Sequence, residues 1–394
     1  MKLLTQMAVV ARLSLLTLPK RVGASLVIVV SMAFVVGVLL CVLSVTFGIL
    51  RAYEIGGSPA RAIVFSTDSY RWKNGRMEEL SHISRDAVGV ILGGPGIARY
   101  PDGKPRIEAE ALAGLPPVEG FAFGSLFVRG VGPNSLRMRP QFEIVVGRMF
   151  RSGVHEIIVG MGAERIFGLK VGDKLIMPDG EWPIVGEFTA GGGILESELM
   201  GDAPTVMAAI ERSTEVSSVL VDLESPAAFP AFKQWLTTNP ALALTAERQS
   251  DYYRWIARNY GSFFTAVAYL VGVIMALGAL FGFVKIMHAS VNSRMREIAT
   301  LRAIGYDALP VATSVLFEAI LLSLAGGLLG AWVARIVFAG RWHAVFNAVF
   351  TLSVPTELIA LGLAWALLLA ILGGIIPAVR AARLPVAVAL RTTA

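Results

Sequence analysis

The sequence predicts an α-helical membrane protein with four transmembrane helices and a large α+β extracytoplasmic domain inserted between the first and second spans. Hydrophobic residues make up 55% of the 394 residues, charged residues make up only 16%, and the mean hydropathy is +0.65. This composition is more apolar than that of an ordinary soluble domain. Four runs long enough to cross a bilayer each carry at most one charged residue, and a long polar stretch separates the first two.

The N-terminal segment 1–21 has a basic amphipathic pattern, in which four Lys and Arg residues are separated by leucine, methionine and valine. Such a segment is suited to lie on the inner membrane surface. A helical extension of the first span is the alternative. Residues 22–50 contain no charged residue and exceed the ~20 residues that span a bilayer. Because the apolar core of a cleaved signal peptide has only about 7–15 residues, this run predicts an uncleaved transmembrane helix.

Residues 51–258 have the sequence pattern of a β-rich α+β domain. Short apolar or alternating runs are separated by Gly, Pro, Asp and Asn, and each run predicts a strand. The runs are AIVFS, FEIVV, EIIVG, KLIM, PIVGEF and SVLVDL. The Pro-Asp-Gly sequence at 178–180 predicts a hairpin turn. Helical segments are expected at 78–92, 163–167 and 226–237.

The acidic, glycine-rich segment 191–202 is expected to be an exposed loop. Its Glu196 and Glu198 are candidates for a carboxylate pair. A solvated loop that binds a partner is the simpler interpretation.

Three further spans follow the domain, and the aromatic segment 249–261 leads into the first of these at headgroup level. The predicted segments are the amphipathic helix 1–21, the first span 22–50, the domain 51–258, the second span 262–287, a cytoplasmic charged helix 288–307, the third span 308–334, a short outer connection 335–357, the fourth span 358–379 and a cytoplasmic tail 380–394.

The charged helix is predicted from the sequence VNSRMREIATLRAIGY at 291–306. Met295, Ile298 and Leu301 recur at the spacing that places side chains on one helical face, and charged residues occupy the rest. Gly305 provides a C-terminal stop. A solvated turn that only adds positive charge to the cytoplasmic side is the alternative interpretation.

The formal charge of +6 comes from basic residues in the segments that flank the predicted spans. Residues 51–258 contain 22 Lys and Arg against 25 Asp and Glu, which leaves 13 basic and 4 acidic residues for the membrane-associated remainder. This distribution argues against a nucleic-acid-binding face. The N-terminal segment 1–21, the loop 285–307 and the tail 380–394 hold 11 basic residues together, and the 335–357 connection holds two. Both termini and the charged helix are therefore predicted to be inside and the large domain outside.

Glu318 is the one acidic residue deep in an apolar run. An ionisable group at the bilayer centre costs about 2.5–3.5 kcal/mol on insertion scales, so such a group is usually paired, faces protein or is functional. We expect a structural role for Glu318, with proton transport disfavoured because no second acid accompanies it in a span. Gly326, Gly327 and Gly330 are expected to permit close helix packing.

The sequence argues against catalysis. His82, His155, His288 and His343 are scattered and lack an HExxH or other paired spacing, so no metal site is expected, and no GxSxG motif is present. The single cysteine, Cys41, lies within an apolar run, which excludes an intrachain disulfide and a Cys-based metal site.

Three stretches carry a family resemblance. SRMREIATLRAIGYDALPVATSVLFEAILLSLAGGLLG and the later PAVRAARLPVAVALR resemble the hallmark region of ABC transporter permeases of the MacB/FtsX/LolE type. This group includes macrolide exporters, lipoprotein-releasing permeases and the cell-division permease. The periplasmic core domain of these FtsX-like permeases, the MacB-like domain, is similar to the segment GAERIFGLKVGDKLIMPDGEWPIVGEF. These permeases also share the predicted order of one span, a large domain and three further spans.

The resemblance implies a permease subunit in the bacterial inner membrane. ATP hydrolysis by a separate nucleotide-binding subunit would drive motion of the periplasmic domain, which we term mechanotransmission, for export or release of a substrate from the outer leaflet or periplasm. The alternative is a transmembrane signalling protein that regulates a periplasmic cell-wall hydrolase. The charged helix would be a coupling helix that docks on the ATPase subunit through Arg294, Met295, Arg296, Glu297, Ile298, Leu301, Arg302, Ile304, Gly305 and Tyr306.

In this interpretation the apolar docking residues are buried against the ATPase subunit, and the charged ones fix the alignment of the two surfaces through charge pairs. No GxxxxGK[ST] loop is present, so no cofactor is expected in this chain, and ATP and Mg would be bound by the partner ATPase. The other expected partners are a second permease copy in a homodimer, a periplasmic adaptor or membrane fusion protein, and membrane lipids. Nucleic acid is not an expected partner.

Overall fold

The computed structural model describes residues 6, 7, 10, 22–68, 81–115, 126–212, 214–338, 340–345 and 348–383. The predicted amphipathic helix at 1–21 and the cytoplasmic tail from 384 onward therefore lie largely outside the described residues, as does the start of the helical segment expected at 78–92.

Four helices in this described part are long and apolar enough to cross a membrane. The first long helix is Val22–Gly56, the second is Gln249–Ser293, the third is Ala308–Phe338 and the fourth is Thr356–Ala382. The prediction of four spans, with an α+β domain between the first and second, is confirmed.

The second long helix is much longer than its predicted span. It contains 45 residues, about 67 Å at 1.5 Å per residue, against a hydrocarbon thickness of about 30 Å. The aromatic segment before the span continues the helix because its apolar side chains are buried: Tyr253 lies edge-on to Tyr53, with ring centroids 6.0 Å apart, and Ile256 is also buried.

The chain divides into two compact units. The membrane unit comprises residues 1–46, 262–339 and 353–394, and the domain unit comprises residues 47–261 and 340–352. The first and second long helices each contribute residues to both units. The core of the membrane unit combines side chains of all four long helices, among them Met32, Phe283, Ala319 and Leu369.

The domain unit is built on one ten-stranded sheet. Its strands are β1 (Arg61–Ser66), β3 (Ile107–Gly114), β4 (Phe127–Val131), β5 (Glu143–Gly147), β6 (Ile157–Gly160), β7 (Lys174–Met177), β8 (Gly180–Thr189), β9 (Glu198–Asp202), β11 (Ser218–Asp222) and β12 (Leu244–Arg248). The order is β12-β1-β11-β3-β4-β9-β6-β8-β5, with β7 paired to β8. The pairs β4–β9 and β6–β8 are parallel and the others are antiparallel.

Short helices cover parts of this sheet. They are Arg85–Ile91, Pro133–Arg137, Met161–Phe167, Ala203–Ala209 and Phe229–Thr238, and a two-residue strand β2 (Ile83–Ser84) pairs with β10 (Glu215–Val216). Within the described residues, the predicted helical segments at 163–167 and 226–237 are confirmed, while the segment expected at 78–92 is a helix only over Arg85–Ile91.

The predicted strands and the predicted hairpin are also confirmed. Met177 pairs with Gly180, and Gly180 has φ +138°, a conformation that glycine accepts without strain. Pro178 and Asp179 therefore form the two-residue turn between β7 and β8.

The expectation that 191–202 is an exposed loop was wrong. Ile194–Ser197 forms a buried 3₁₀ turn and the following residues form the central strand β9. Glu196 accepts hydrogen bonds from Thr189 Oγ1 at 2.6 Å and from the backbone amides of Ala190 and Gly192 at 2.8 Å. Its charge is tolerated inside the fold because these donors replace water.

The connection predicted at 335–357 contains an unexpected β-hairpin, β13 (Trp342–Val345) and β14 (Ala348–Thr351). It groups with the domain unit. Ser197 Oγ accepts a hydrogen bond from the Val349 amide at 2.7 Å, and Arg165 lies 5.5 Å from the Trp342 ring. The hairpin is thus an integral part of the domain unit.

Candidate functional site

The charged helix is shorter than predicted because the chain turns at Arg294. The second long helix continues to Ser293, and the charged helix proper is Met295–Ala303. Its C-terminus is closed by Gly305, which has φ +103°, and by a hydrogen bond from the Tyr306 amide to the Leu301 carbonyl at 3.1 Å. A left-handed glycine in this place is the usual way to end a helix and turn the chain.

The apolar face of the charged helix packs against its own chain. Ile298 is buried in the core of the membrane unit together with Val291, Val311 and Val315. Met295 and Leu301 are half-buried. Ile298 was expected to be buried by the ATPase subunit. In the structure, its side chain is already buried by its own chain within the membrane unit.

A buried ion pair ties the start of the charged helix to the third long helix. Arg294 Nη2 donates to Glu318 Oε1 at 2.8 Å, and the two residues are only 6% and 4% exposed. The pair accounts for the single acidic residue of the third span, because an opposite charge and a hydrogen bond stabilise a carboxylate in apolar surroundings.

A second contact ties the other end of the charged helix to the fourth long helix. Arg302 Nη1 donates to the carbonyl oxygen of Ala382 at 2.5 Å. This arginine satisfies one of the last carbonyls of that helix, which have no partner within the helix. Sequence analysis assigned Arg294 and Arg302 to docking. It indicated that Glu318 could be paired, but it identified neither Arg294 as the partner of Glu318 nor Ala382 as the partner of Arg302.

The exposed side of the charged helix differs from its apolar face. Arg296, Glu297 and Thr300 are exposed, and the side chain of Ile304, just beyond the helix, is 72% exposed. We call these four residues the exposed docking face. The half-buried Tyr306 and the exposed Gly305 lie beside it in sequence.

A cavity of about 390 Å³ lies beside the ion pair within the membrane unit. Arg294 and Glu318 form part of its wall, together with Ser290, Ser314 and Glu297. The charged helix is therefore held by an arginine contact near each end and by the buried Ile298 between them, and the cavity lies beside it.

The three glycines of the third long helix lie where other helices approach it. A Cβ on Gly326 would come within 2.5 Å of the Val29 carbonyl oxygen, and one on Gly330 would clash with the Ala33 carbonyl oxygen. A Cβ on Gly327 would lie 3.2 Å from Ala366 Cβ in the fourth long helix. The first and third long helices thus approach at backbone distance.

The domain unit contains a buried charge network that sequence analysis missed. Arg129 donates to Glu198 through Nε at 2.6 Å and to Glu110 through Nη1 at 3.0 Å. Arg139 donates to Glu110 at 2.6 Å, and Ser135 also contacts this carboxylate. Two arginines and two glutamates thus balance each other: Glu110, Arg129 and Glu198 lie on the neighbouring strands β3, β4 and β9, and Arg139 lies in the loop after the Pro133–Arg137 helix.

This network is stable only while its carboxylates are ionised. Burial by itself would raise the pKa of Glu110, but Arg139 and Arg129 outweigh it and lower the pKa to about 2. A pKa below the usual value of about 4.3 stabilises the fold at higher pH, and this stabilisation is lost as the pH falls toward 2.

We therefore expect the midpoint temperature of thermal unfolding of the full chain, measured in an uncharged detergent, to fall steeply below about pH 4. The contribution of Glu110 at neutral pH is on the order of 3 kcal/mol, at about 1.4 kcal/mol per pKa unit. A Glu110→Gln variant should be less stable at neutral pH and should show a flatter acid profile. Glu181→Gln is the matched control, since Glu181 is in an exposed pair with Lys174 and should leave the profile unchanged.

The four histidines do not converge. His82 bonds to Glu215 at 2.6 Å, His155 stacks on Trp182, and His343 lies on the β13–β14 hairpin. No group of three or more His, Cys, Asp or Glu residues that could hold a metal ion occurs among the residues described.

Comparison with known proteins identifies the C-terminal part of the chain. Residues 269–386 match the FtsX-like permease C-terminal family. The matched segment begins within the second long helix, contains the charged helix and its two arginine contacts, and extends beyond the fourth long helix. The match agrees with the resemblance of the charged helix and the third span to this family.

Two curated relatives match over part of their length. The macrolide export ATP-binding/permease protein MacB of Photorhabdus laumondii is 35% identical over 122 residues, which are 29% of this chain and 18% of the relative. The uncharacterized ABC transporter permease YknZ of Bacillus subtilis is 28% identical over 127 residues, or 32% of this chain and 31% of the relative. The chain thus covers less than a third of either relative.

A solved structure also matches part of the chain. It is the extracellular domain of the noncanonic ABC-type transporter YknZ from Gram-positive bacteria. The match has a TM-score of 0.33 and 15% sequence identity, and covers 48% of this chain and 99% of the solved domain.

Proposed function

We propose that this chain is the permease subunit of an ABC transporter, in which a separate ATPase subunit drives motion of the domain unit. The single observation that carries the proposal is the charged helix, which lies between two spans of an FtsX-like permease domain and is tied to the third and fourth long helices by Arg294 and Arg302. A partner that moves this helix would move both long helices with it.

The docking surface in this proposal is the exposed docking face. Arg296 and Glu297 would form charge pairs with the ATPase subunit, and Ile304 would enter an apolar pocket on it. Ile304 supports this role because an isoleucine that is 72% exposed next to charged residues is typical of a residue buried by a partner. Ile298 would contribute indirectly, by fixing the helix to its own chain.

The route of transmission in the proposal is the pair of long helices shared by the two units. The first and second long helices run through residues of both units without a break in hydrogen bonding. A continuous helix is stiff enough to carry a displacement along its axis, whereas a flexible linker is not. Mechanotransmission therefore needs no conduit through the bilayer.

The remaining features of the proposal follow from charge and family likeness. The excess of basic residues in the flanks supports a topology in the bacterial inner membrane with both termini and the charged helix in the cytoplasm and the domain unit outside. A second permease copy would complete the transporter, with export or release of a substrate as its activity, and a periplasmic adaptor would contact the domain unit. ATP and Mg would be bound by the ATPase subunit.

The test is co-purification of the native ATPase subunit with the tagged full chain. A Glu297→Arg/Ile304→Asp variant is expected to lose the ATPase subunit, because truncating or reversing a desolvated charge at an interface costs about 2–5 kcal/mol. The ATP turnover of the purified complex should fall in parallel.

Glu357→Arg is the matched control, since it reverses the charge of another exposed glutamate at the start of the fourth long helix. It should retain the ATPase subunit at the wild-type level. If wild type brings down no ATPase, or if both variants retain it equally, the docking role of the charged helix is lost and the permease proposal with it.

A further inference from the structure

Three helices of the membrane unit enclose the cavity of about 390 Å³ that lies beside the charged helix. The second long helix contributes Met287, Ser290 and Val291, which share one helical face because they occupy positions i, i+3 and i+4. The third long helix contributes Val311 and Val315, which share a face in the same way. The charged helix completes the wall, and the size of the cavity is typical of sites for small organic molecules.

The wall of this cavity changes from apolar to polar toward its opening. Val291, Ile298 and Val315 are buried and form an aliphatic floor. Glu297 and Thr300 of the charged helix also line the cavity, and both are exposed, so they mark its mouth. A ligand that matches these walls has an apolar body and a polar head.

The polar groups at the mouth accept hydrogen bonds. The carboxylate of Glu297 can only accept when it is ionised. Thr300 Oγ1 already donates its proton to the carbonyl oxygen of Arg296 at 2.9 Å, so toward a ligand it can only accept as well. The polar head of a matching ligand therefore carries a hydrogen-bond donor.

The remaining charged groups of the wall favour an uncharged ligand. Arg294 and Glu318 line the cavity, are buried and pair with each other at 2.8 Å, so neither is available to balance the charge of a ligand. A charge brought into apolar surroundings without a partner is costly. A hydroxyl group donates a hydrogen bond to the mouth without bringing a charge into this space.

The cavity extends behind the exposed docking face. Glu297 and Thr300 of that face line its mouth, whereas Ile304 is not part of its wall. A protein partner bound to this face would cover the mouth and leave the floor uncontacted. Val10 of the N-terminal segment is itself part of the wall, and its carbonyl oxygen accepts a hydrogen bond from Ser314 Oγ at 3.4 Å. The floor therefore suits a small molecule better than a protein surface.

We propose that this cavity binds a small uncharged amphiphile, with its aliphatic chain against Val291, Ile298 and Val315 and its hydroxyl group at Glu297 and Thr300. Burial of apolar surface would bind the chain, and the hydroxyl would fix its direction. Because the charged helix and the third long helix both contribute to the wall, a bound ligand would fix their separation. The proposal does not depend on the transport function proposed above.

The test measures how 1-decanol protects an introduced cysteine in the full chain, reconstituted in phosphatidylcholine nanodiscs. Cys41, the single native cysteine, is first replaced by alanine. Ser290→Cys then places a thiol in the cavity wall, and its rate of alkylation by a water-soluble maleimide is measured with and without decanol. We expect decanol to slow alkylation roughly fivefold once about four-fifths of the sites are occupied, because only the unoccupied fraction reacts.

Ser293→Cys is the matched control for the position of the thiol. Ser293 lies three residues further along the same helix, is exposed and does not line the cavity. Decanol should leave its alkylation rate unchanged. The matched control for the ligand is 1-methoxydecane, which has the same chain but no hydrogen-bond donor and should protect Ser290→Cys clearly less than decanol does.

Two further variants reduce the space for the ligand. Val315→Phe enlarges a side chain of the floor, and Thr300→Trp narrows the mouth from an exposed position, so it remains informative if Val315→Phe folds poorly. Both should abolish the protection of Ser290→Cys by decanol.

The proposal is overturned if decanol does not slow the alkylation of Ser290→Cys, if it slows that of Ser293→Cys equally, if 1-methoxydecane protects as well as decanol, or if protection survives Thr300→Trp. A Ser290→Cys thiol that is already unreactive without decanol would show that a lipid or another segment of the chain fills the cavity, and this result would overturn the proposal as well.

Discussion

Replacing Gly330 by leucine is expected to prevent stable packing of the third long helix against the first, and even Gly330→Ala should lower the free energy of unfolding by about 1–3 kcal/mol. A Cβ at this position would clash with the Ala33 carbonyl oxygen and would lie 3.0 Å from the Ala33 Cα. Backbone atoms cannot move aside by changing rotamer, so the two helices would have to separate. Thermal unfolding of the full chain in detergent measures the effect.

The sign of this effect is informative because helix propensity predicts the opposite. Alanine in place of glycine within a helix is favourable by about 1 kcal/mol when nothing opposes it. Gly278 in the second long helix is the matched control, since a Cβ there would meet nothing within 4 Å among the described residues. Gly278→Ala should be neutral or stabilising. A Gly330→Ala protein that melts no earlier than the Gly278→Ala protein would show that the first and third helices do not need backbone contact.

The long apolar runs and the alternating strands were predictable because their signal is local. A long run without charge is stable only when it is surrounded by apolar groups, as in a membrane. Pro178, Asp179 and Gly180 after KLIM are residues typical of a tight hairpin turn. The positions of Gly326 and Gly330 were also suggested by the sequence, since small residues four apart share one helical face. Which helix they approach was not predictable, because the first long helix is about 300 residues away in sequence.

The errors concern charged residues whose partners are distant in sequence. Glu198 was assigned to an exposed loop because acidic residues beside glycines are usually solvated. Its partner Arg129 lies 69 residues earlier, so only the fold reveals that the charge is buried and paired. Glu110 was hidden in the same way, because the alternation in EAEAL is typical of a strand with one wet face.

The site shows the same limitation. The spacing of Met295, Ile298 and Leu301 predicted an apolar helical face, but it could not indicate whether that face contacts a partner or its own chain. The structure places Ile298 in the core of the membrane unit and leaves Ile304 exposed. An amphipathic pattern fixes which residues share a face and leaves the identity of the covering surface open.

Glu318→Gln is expected to destabilise the full chain by about 3–5 kcal/mol, because it leaves Arg294 buried without its carboxylate partner. Arg294→Met should have an effect of similar size, since it leaves the Glu318 carboxylate without this guanidinium. An Arg294→Met/Glu318→Leu double variant should recover most of the loss, because apolar residues of similar volume often replace a buried ion pair at little cost. The double-mutant cycle in thermal unfolding gives the coupling energy of the pair.

The pair of Lys174 and Glu181 is the matched control, with a similar geometry at 2.6 Å but with side chains 63% and 62% exposed. Its coupling energy should be much smaller than that of the buried pair, because water screens exposed charges. A buried pair whose coupling is no larger than that of this surface pair would not hold the charged helix to the third span.

The double variant also separates stability from transmission. If the ion pair only stabilises the fold, apolar replacement should restore both the folded protein and the ATP turnover of the complex with the ATPase subunit. We expect folded protein that still binds the ATPase subunit but no longer changes its turnover, since Met and Leu side chains can slide past each other where a hydrogen-bonded ion pair cannot. Restoration of turnover to the wild-type level would contradict a role for Arg294 and Glu318 in carrying motion from the charged helix to the third span.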